Sequence, residues 1–340
     1  MLYQKLLDAH KRYRQFKTYP HIADQYWSSQ LAEHNISPNY VEYDAKSGQL
    51  FYKPLGISLS KNKQDFLLGS KVFNKANALK ALADCKFYID EQQELIIEID
   101  GVKLIIETGQ DLDIAHEIFL LGVYNFLYDK PCVAIDIGMN TGFASLFFAN
   151  RANVKAVYSY EPFKATYDQA LRNFALNPNL GEKIKAFDYG VGARDEIIQV
   201  EYDYNVKGSV GISGIDNQLK PFASKQTATA DLILKPFTDV FKGITSDYPD
   251  IDIVAKIDCE GSEYEILDSL AATGQLGQMK IIMMEWHKKG PDALVKHLQD
   301  FGFIIFSRMP RSKNVGTLYA IKPSSVGCVT LSLPHHNIGN

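Results

Sequence analysis

The sequence lacks the features that mark several common classes of protein. Its 340 residues contain only four cysteines, Cys85, Cys132, Cys259 and Cys328, and no CxxC pair. Neither a disulfide framework nor a zinc ribbon is therefore indicated, and a reducing compartment is expected. There is also no basic excess, because 36 Lys and Arg residues face 40 Asp and Glu residues, giving a net charge of −4. This balance disfavours a nucleic-acid partner.

Long apolar segments are also missing. No run of about 18 apolar residues occurs, and the first twenty residues carry charge throughout, without the apolar region of a signal peptide. We therefore expect a soluble, cytoplasmic protein with no transmembrane segment. What is present is typical of globular proteins: 46% hydrophobic and 22% charged residues, in a chain long enough for two folding units.

The patterning divides the chain into an N-terminal part and a longer C-terminal part. Residues 1–112 predict a smaller α+β domain, with alternating segments at 41–52 and 95–107, the latter interrupted by the hairpin signal Asp100-Gly101. We expect this accessory domain to bind the acceptor or to mediate a homo-oligomer. Residues 323–340 have no hydrophobic period and are read as a tail.

Residues 113–322 show the alternation of strands and helices that is typical of a doubly wound α/β fold. A helix is predicted over 111–128, and an extra strand begins at residue 196. The long Gly/Ser/Thr-rich connection at 205–230 is predicted to form a lid over the site. The expected architecture is a mostly parallel, seven-stranded Rossmann-like sheet with strands at 132–138, 154–162, 184–192, 252–261, 279–287, 303–308 and 317–322.

A glycine loop follows the first of these strands, in the segment VAIDIGMNTG. It contains Asp136, Gly138, Asn140, Thr141 and Gly142, and it lacks the GxGxxG spacing of a dinucleotide-binding loop. A carboxylate would repel a pyrophosphate, whereas S-adenosylmethionine has no phosphate and carries an ammonium and a sulfonium group. The loop therefore favours S-adenosylmethionine as cofactor over a nicotinamide dinucleotide. The alternative is that Asp136 only caps the following helix.

The ends of the next two strands offer further cofactor contacts. Glu161 ends the second strand, where its carboxylate can accept both hydroxyls of an adenosine ribose, and Pro162 and Phe163 would lie beside the adenosine. Asp188 at the end of the third strand can accept the adenine amino group, and Gly190 leaves room for the ring. The alternative for Glu161 is an ordinary solvated side chain at a strand end.

Acid and base candidates gather at the ends of two later strands. Lys256 and Asp258 are two residues apart and share a face, Glu260 lies in the following turn, and Glu285 and His287 repeat the spacing on the next strand. Asp258, Glu260, Lys256 and His287 are our catalytic candidates as a group, with no single base singled out. The alternative for Lys256 is that its side chain extends to solvent at the edge of the sheet. The alternative for His287 is an ordinary surface or partly buried histidine without a catalytic role.

A metal site is a separate hypothesis at the same strand ends. Asp258, Glu260 and Glu285 can present oxygen ligands to a magnesium ion that binds two adjacent hydroxyls. The alternative is that the carboxylates position a hydroxyl without a metal.

These segments also occur in the order of a known family. IDIGMNTG, YSYEP, NFALN, FDYGVG, AKIDCEGSEYEIL and IIMMEWH, within 113–322, resemble the FkbM-type family of S-adenosylmethionine-dependent methyltransferases. Its marks are Asn in the glycine loop and a later Asp-x-Glu-Gly-x-x-Glu-like run, here Asp258-Cys259-Glu260-Gly261-Ser262-Glu263. The resemblance implies O-methylation of a hydroxyl, on a sugar or glycan or on a polyketide.

Together with this resemblance, the sequence predicts an S-adenosylmethionine-dependent O-methyltransferase that acts on a hydroxyl of a sugar or glycan. The alternatives are a methyltransferase of a polyketide or other small metabolite, and a non-catalytic cofactor-binding module with a scaffold N-terminal domain. A nucleic-acid methyltransferase is disfavoured by the net charge and by the absence of an Asn/Asp-Pro-Pro-aromatic run.

Overall fold

A computed structural model of the chain describes residues 19, 21–82, 85–126, 128–202, 210–211, 214–215, 228–307 and 314–323. The chain divides into two compact units, Met1–Leu121 and Gly122–Asn340. The predicted lid at 205–230 and the tail at 323–340 lie largely outside the described residues. Within the ranges that the structure describes, no helix has the length and apolar character needed to cross a membrane.

The first unit contains two antiparallel three-stranded sheets, β1-β2-β3 and β4-β5-β6. The predicted hairpin is confirmed, since Asp100 and Gly101 both have positive φ (52° and 77°), as a two-residue turn of this kind requires. The elements are α1 (Gln25–Glu33), β1 (Val41–Asp44), β2 (Gln49–Tyr52), β3 (Ile57–Leu59), α2 (Ser70–Leu82), β4 (Lys86–Ile89), β5 (Leu95–Ile99), β6 (Val102–Ile106) and α3 (Gly109–Ala115).

The helix predicted over 111–128 is shorter than expected and begins earlier. Thr108 and Asp111 form a capping box that starts α3 at Gly109, and a π-helical turn continues it over His116–Leu120. The helix ends there because Gly122 has a φ of +60°, the left-handed conformation that commonly terminates helices.

The second unit alternates strands and helices. Its elements are β7 (Cys132–Ile137), α4 (Phe143–Ala149), β8 (Val154–Tyr160), α5 (Lys164–Leu176), α6 (Pro178–Gly181), β9 (Ile184–Phe187), β10 (Gly190–Gly192), β11 (Glu196–Tyr202), β12 (Val210–Gly211), β13 (Gly214–Ile215), β14 (Ala228–Pro236), α7 (Phe237–Asp247), β15 (Asp252–Ile257), α8 (Glu263–Ala272), β16 (Met279–His287), α9 (Asp292–Asp300), β17 (Ile304–Ser307) and β18 (Val315–Ile321).

A seven-stranded sheet in the order β17-β18-β16-β15-β7-β8-β9 forms the centre of this unit and confirms the predicted fold class. Only β18 runs antiparallel to its neighbours. All six residues of β7 are buried, as expected for a strand covered on both faces. From β7 the chain proceeds to β8 and β9 on one side and returns through β15 on the other, so the topological switch point lies between β7 and β15. Ligands bind at the carboxyl ends of strands at such a point.

The segment from residue 184 to residue 236 differs from the prediction in two respects. The single strand predicted over 184–192 is two strands, because the chain bends at residues 188–189 and β10 leaves the large sheet to pair with β14. The extra strand is confirmed as β11, but its partner β14 was not predicted. β10, β14 and β11 form a separate three-stranded sheet.

Candidate functional site

The glycine loop after β7 packs directly against the turn that follows β15. Gly138 has a φ of +75°, and a Cβ atom there would lie 1.8 Å from the backbone carbonyl oxygen of Asp258. Gly142 has a φ of +82°, and a Cβ atom would lie 2.6 Å from the Phe174 ring. Both positions require glycine, because side-chain-bearing residues avoid this conformation and have no space here. The contact brings the predicted cofactor loop and the predicted catalytic turn together.

Replacement of Gly138 by alanine is expected to destabilise the protein more than the same change at Gly274. The two glycines have nearly equal φ values (75° and 74°), but no atom lies within 4 Å of a Cβ atom at Gly274. Gly274→Ala therefore carries only backbone strain, about 1–2 kcal/mol, whereas Gly138→Ala adds the clash with the Asp258 carbonyl. Thermal unfolding of both variants measures the difference. Equal losses would show that the loop yields easily and that its packing on Asp258 is not fixed.

Glu161, the residue after β8, fastens the glycine loop. One carboxylate oxygen accepts the backbone N–H of Asn140 at 2.8 Å, and the other accepts that of Phe163 at 3.0 Å. The side chain is buried, and burial raises the pKa of the Glu161 carboxyl to about 7. Each oxygen keeps a second lone pair that can accept a hydroxyl of a ligand.

The rest of the loop forms a cradle with one unsatisfied group. Asn140 has a φ of +52°, and its side-chain oxygen accepts the N–H of Thr141 at 2.7 Å. The hydroxyl of Thr141 is buried and has no hydrogen-bond partner in the part of the chain that the structure describes. An unpaired buried hydroxyl in a glycine loop fits a loop that completes its hydrogen bonds with a ligand.

The other predicted cofactor residues lie on the β8 and β9 side of the loop. Phe163 is buried and Pro162 is partly buried. A Cβ atom at Gly190 would lie 3.3 Å from Pro162 and 2.6 Å from the side chain of Leu234, so the absence of a side chain at Gly190 accommodates these neighbours. Asp188 is exposed in the bend after β9. The contacts of these residues with a cofactor remain predictions.

Asp136 and Lys256 form a buried ion pair across neighbouring strands. They are direct partners in the register of β7 and β15, and Nζ of Lys256 lies 3.1 Å from Oδ1 of Asp136. The other carboxylate oxygen of Asp136 accepts the Ser145 hydroxyl at 2.6 Å. Lys256 also donates to the carbonyl oxygens of Ile137 and Gly138. This geometry favours a role for the pair in fixing the glycine loop, and contact of Asp136 with a cofactor remains a prediction.

The charges around Lys256 keep it protonated. Burial acts to lower the pKa of its ammonium group, but the carboxylates of Asp136 and Asp258 outweigh burial and raise the pKa. A permanently charged lysine that contacts backbone carbonyls is suited to positioning rather than to accepting a proton. Its place among the catalytic candidates remains a prediction.

The ends of β15 and β16 bring the acid and base candidates together, as the spacing predicts. Asp258 and Glu260 are half-buried, with side chains 27% and 24% exposed. Nε2 of His287 lies 3.5 Å from Oε2 of Glu260 and 3.9 Å from Oε1 of Glu285. Glu260 has a φ of +55°, a strained conformation that is uncommon for a residue with a side chain.

The protonation of this group is coupled. Burial raises the pKa of Glu260 to about 8, despite the opposing attraction of His287. Burial acts to lower the pKa of His287, but the hydrogen bond to Glu263 and the charge of Glu260 outweigh it and raise the pKa to about 9. The cluster therefore retains protons near neutrality and shares them among its members.

Two residues that were not among the predicted site residues complete the site. The hydroxyl of Tyr124, a buried residue, donates to Oδ2 of Asp258 at 3.1 Å. Glu263, at the start of α8, lies 2.8 Å from Nδ1 of His287 and also accepts the N–H of Gly261 at 3.1 Å. The Asp-x-Glu-Gly-x-x-Glu-like run was a sequence signal for Glu263, but nothing in the sequence indicated that Glu263 contacts His287. Tyr124 had no local signal, because it is 134 residues from Asp258.

Comparison with known proteins gives one family and several remote similarities. A model of the family described as the methyltransferase FkbM domain matches residues 136–305, half of the chain. A tRNA1(Val) (adenine(37)-N6)-methyltransferase of Flavobacterium johnsoniae is 31% identical over 84 residues, which cover 25% of this chain and 35% of that protein. The chain thus spans about a third of the length of this curated relative.

The solved structures that match the chain are more distant still. A methyltransferase FkbM from Methylobacillus flagellatus is 16% identical with a TM-score of 0.38, over 57% of this chain and 44% of that chain. A precorrin-6y C5,15-methyltransferase from Geobacter metallireducens is 14% identical with a TM-score of 0.34, over 61% and 89%. At TM-scores this low neither structure bears on the assignment.

The family model includes the glycine loop, Glu161 and the ends of β15 and β16, the same elements that the structure assembles at the switch point. The chain belongs to the FkbM methyltransferase family.

Proposed function

We propose that this protein transfers the methyl group of S-adenosylmethionine to a hydroxyl oxygen of a sugar or glycan. The proposal rests on the close contact between the glycine loop at Gly138 and the end of β15 at Asp258. A loop suited to a phosphate-free cofactor and a group of proton acceptors thereby lie side by side. The Thr141 hydroxyl and the free lone pairs of Glu161 fit such a cofactor.

Methyl transfer to oxygen requires alignment and removal of a proton. S-adenosylmethionine would supply the methyl carbon, and attack by the acceptor oxygen would break the carbon–sulfur bond and leave its electron pair on sulfur, giving S-adenosylhomocysteine. The hydroxyl proton passes to a deprotonated member of the cluster formed by Asp258, Glu260 and His287. Asp258 is held for this task by Tyr124, and His287 is held by Glu263. Correct placement of the two reactants contributes much of the rate.

The acceptor is inferred from the character of the cluster. Several carboxylate oxygens at one strand edge are suited to accept hydrogen bonds from adjacent hydroxyls of a neutral polyol. A hydroxyl of a polyketide or other small metabolite is the alternative acceptor. A non-catalytic cofactor-binding module is the alternative from another functional class, and it predicts cofactor binding without turnover.

Methylation of nucleic acid is less well supported. The curated relative is named for a tRNA adenine, but this chain has a net charge of −4. After β15 it carries Asp258-Cys259-Glu260-Gly261, not an Asn/Asp-Pro-Pro-aromatic run. A polyanionic substrate would meet a cluster of carboxylates here, which is electrostatically unfavourable.

Mass spectrometry of surface glycans from cells with and without the gene tests the acceptor class. We expect glycans from cells lacking the gene to lose the mass of one methyl substitution. If the glycans are unchanged and a methylated small metabolite disappears instead, that metabolite is the acceptor and the glycan is not.

Replacement of Glu161 by glutamine is expected to weaken binding of S-adenosylmethionine by about 10–100-fold, equivalent to about 1.5–3 kcal/mol for charge-assisted hydrogen bonds. In the wild type the ribose hydroxyls would donate to the ionised carboxylate, and the pKa of Glu161 is about 7 in the cofactor-free protein. Affinity should therefore rise with pH up to about this value, by up to about tenfold per unit, and then level off. Calorimetric titration across this range measures both effects.

The linked effect on stability has the opposite sign. Because the folded-state pKa of Glu161 lies above the ordinary value of 4.5, the stability contribution of its protonated form is present below that value and is lost as the pH rises through about 7.

The glutamine variant should bind S-adenosylmethionine with an affinity that does not change over this pH range. If the glutamine variant retained the pH dependence of the wild type, Glu161 would not be the residue that binds the ribose. Binding of NADH in place of S-adenosylmethionine would contradict the proposed function.

A further inference from the structure

Three side chains that can ligate a metal ion come together at the ends of β15 and β16. Asp258 follows β15, Glu260 lies in the next turn, and His287 ends β16. Each offers one ligand atom, and these three atoms lie within 4.8 Å of one another. His287 is buried while the two carboxylates are half-buried, so the group has an enclosed side and an accessible side.

The orientation of His287 directs one ring nitrogen at the carboxylates of the cluster. Its Nδ1 lies 2.8 Å from Oε1 of Glu263, a side chain with no exposed surface. Its Nε2 makes no hydrogen bond within the described ranges, although the side chain is more than nine-tenths buried, and it faces Glu260 at 3.5 Å and Glu285 at 3.9 Å. These separations are long for hydrogen bonds but suit atoms that share a bound cation.

The Glu263–His287 pair has the arrangement that is found behind metal-ligating histidines. In such sites the second ring nitrogen binds a carboxylate, which fixes the ring and directs the other nitrogen at the metal. Glu263 is itself fixed, since its Oε1 accepts the N–H of Gly261 within the turn that carries Glu260. One buried carboxylate thereby positions both the histidine and the turn.

We propose that Asp258, Glu260 and His287 hold a divalent cation, with Glu263 as the positioning residue behind His287. Two carboxylate oxygens with one imidazole nitrogen suit Mn²⁺ and, with more retained water, Mg²⁺. Three protein ligands leave coordination positions for oxygen atoms of water or of an acceptor. This set replaces Glu285, the third ligand expected from sequence, by His287.

The cation would supply a specific step of the proposed function, and that role rests on the proposed function. A hydroxyl bound to a divalent cation becomes more acidic, so that a carboxylate oxygen of the cluster that does not ligate the cation can take its proton as the oxygen attacks the methyl carbon. Cation binding itself is independent of methyl transfer. The competing account of the same geometry is a protonated His287 between Glu260 and Glu263, with no cation.

Calorimetric titration of the 340-residue chain with MnCl₂, at neutral pH and without cofactor or acceptor, tests the site. We expect one Mn²⁺ per chain, and an affinity about 10–100-fold lower for Glu263→Gln, the range typical of second-layer carboxylates at metal sites. Glu265→Gln is the matched control, because Glu265 is an exposed acid in the same first turn of α8. It should bind Mn²⁺ like the wild type.

Two results would overturn the inference: no Mn²⁺ binding at millimolar concentration, which favours the protonated histidine, or equal binding by Glu263→Gln and Glu265→Gln. If Glu263→Gln lowers the melting temperature, Glu260→Gln is tested in its place, because Glu260 is partly exposed. We expect the same loss of affinity for Mn²⁺ in this variant. S-adenosylmethionine is titrated in parallel into chelator-treated protein. Loss of cofactor binding with intact Mn²⁺ binding would contradict the proposed function and leave the cation site standing.

Discussion

Asp258→Asn is expected to lower the turnover number for methyl transfer by about 10²–10⁴-fold while changing the affinity for S-adenosylmethionine by less than about threefold. Asparagine has nearly the size of aspartate, and its side-chain oxygen can still accept the Tyr124 hydroxyl that lies 3.1 Å from Oδ2 of Asp258. The substitution removes the charge that orients or deprotonates the hydroxyl, or that helps to hold a cation. Initial-rate kinetics and calorimetry on the same preparation separate turnover from cofactor binding.

Thermal stability is the control for Asp258→Asn. Asp258 also lies 3.9 Å from Nζ of Lys256, so a variant that unfolds would identify Asp258 as a structural partner of Lys256, and its catalytic assignment would be withdrawn. Addition of a chelator to the wild type divides the remaining cases. Loss of activity that Mg²⁺ or Mn²⁺ restores supports the cation, and indifference to the chelator leaves a general base or a positioning group.

Lys256→Met is expected to lower the free energy of unfolding by about 3–5 kcal/mol, the usual cost of leaving a buried charge without its partner. Asp136 has no exposed surface, and in this variant its carboxylate would lose the ammonium group at 3.1 Å. The carbonyl oxygens of Ile137 and Gly138 would lose the same donor. Urea unfolding followed by circular dichroism measures the loss.

The double variant Lys256→Met, Asp136→Asn is the matched comparison. It removes both charges, and we expect it to recover a large part of the stability lost in the single variant, as is typical when a buried ion pair is replaced as a unit. If Lys256→Met retained stability within about 0.5 kcal/mol but lost activity, Lys256 would act in the chemistry and not in holding the loop.

The sequence was informative wherever local pattern decides structure. The buried apolar run of β7, the glycine loop after it and the two-residue spacing at the ends of β15 and β16 are all features of a few consecutive residues. Because parallel strands deliver their carboxyl ends to one edge, placing Asp258 and His287 near each other followed from the fold class. The residues of the strand-end cluster were predictable for this reason.

What could not be predicted depends on contacts between distant segments. Tyr124 reaches Asp258 across 134 residues, and no periodicity records that contact. The pairing of β14 with β10 and β11 was hidden because its alternating residues stand at the end of a Gly/Ser/Thr-rich connection. The helix predicted over 111–128 continued past Gly122 because apolar spacing alone does not reveal a left-handed glycine.

The burial of Asp136 is a further case. From sequence, a carboxylate at a glycine loop was expected to face the positive groups of the cofactor. The structure places Lys256 directly across from it in the sheet register and pairs the carboxylate with this ammonium group, while its contact with a cofactor remains a prediction. A single strand cannot reveal the residue opposite on its neighbour, which is set by sheet register.

Methylation of a hydroxyl at this site is tested most directly by one measurement. The protein is incubated with S-adenosylmethionine carrying an isotopically labelled methyl group and with glycan, small-metabolite and tRNA fractions, and the products are examined by NMR spectroscopy, which separates O-methyl from N-methyl groups. We predict labelled O-methyl groups in the glycan fraction, at a rate that Asp258→Asn lowers by about 10²–10⁴-fold. Labelled N-methyl groups in tRNA with none on oxygen, or equal labelling by wild type and Asp258→Asn, would contradict the account.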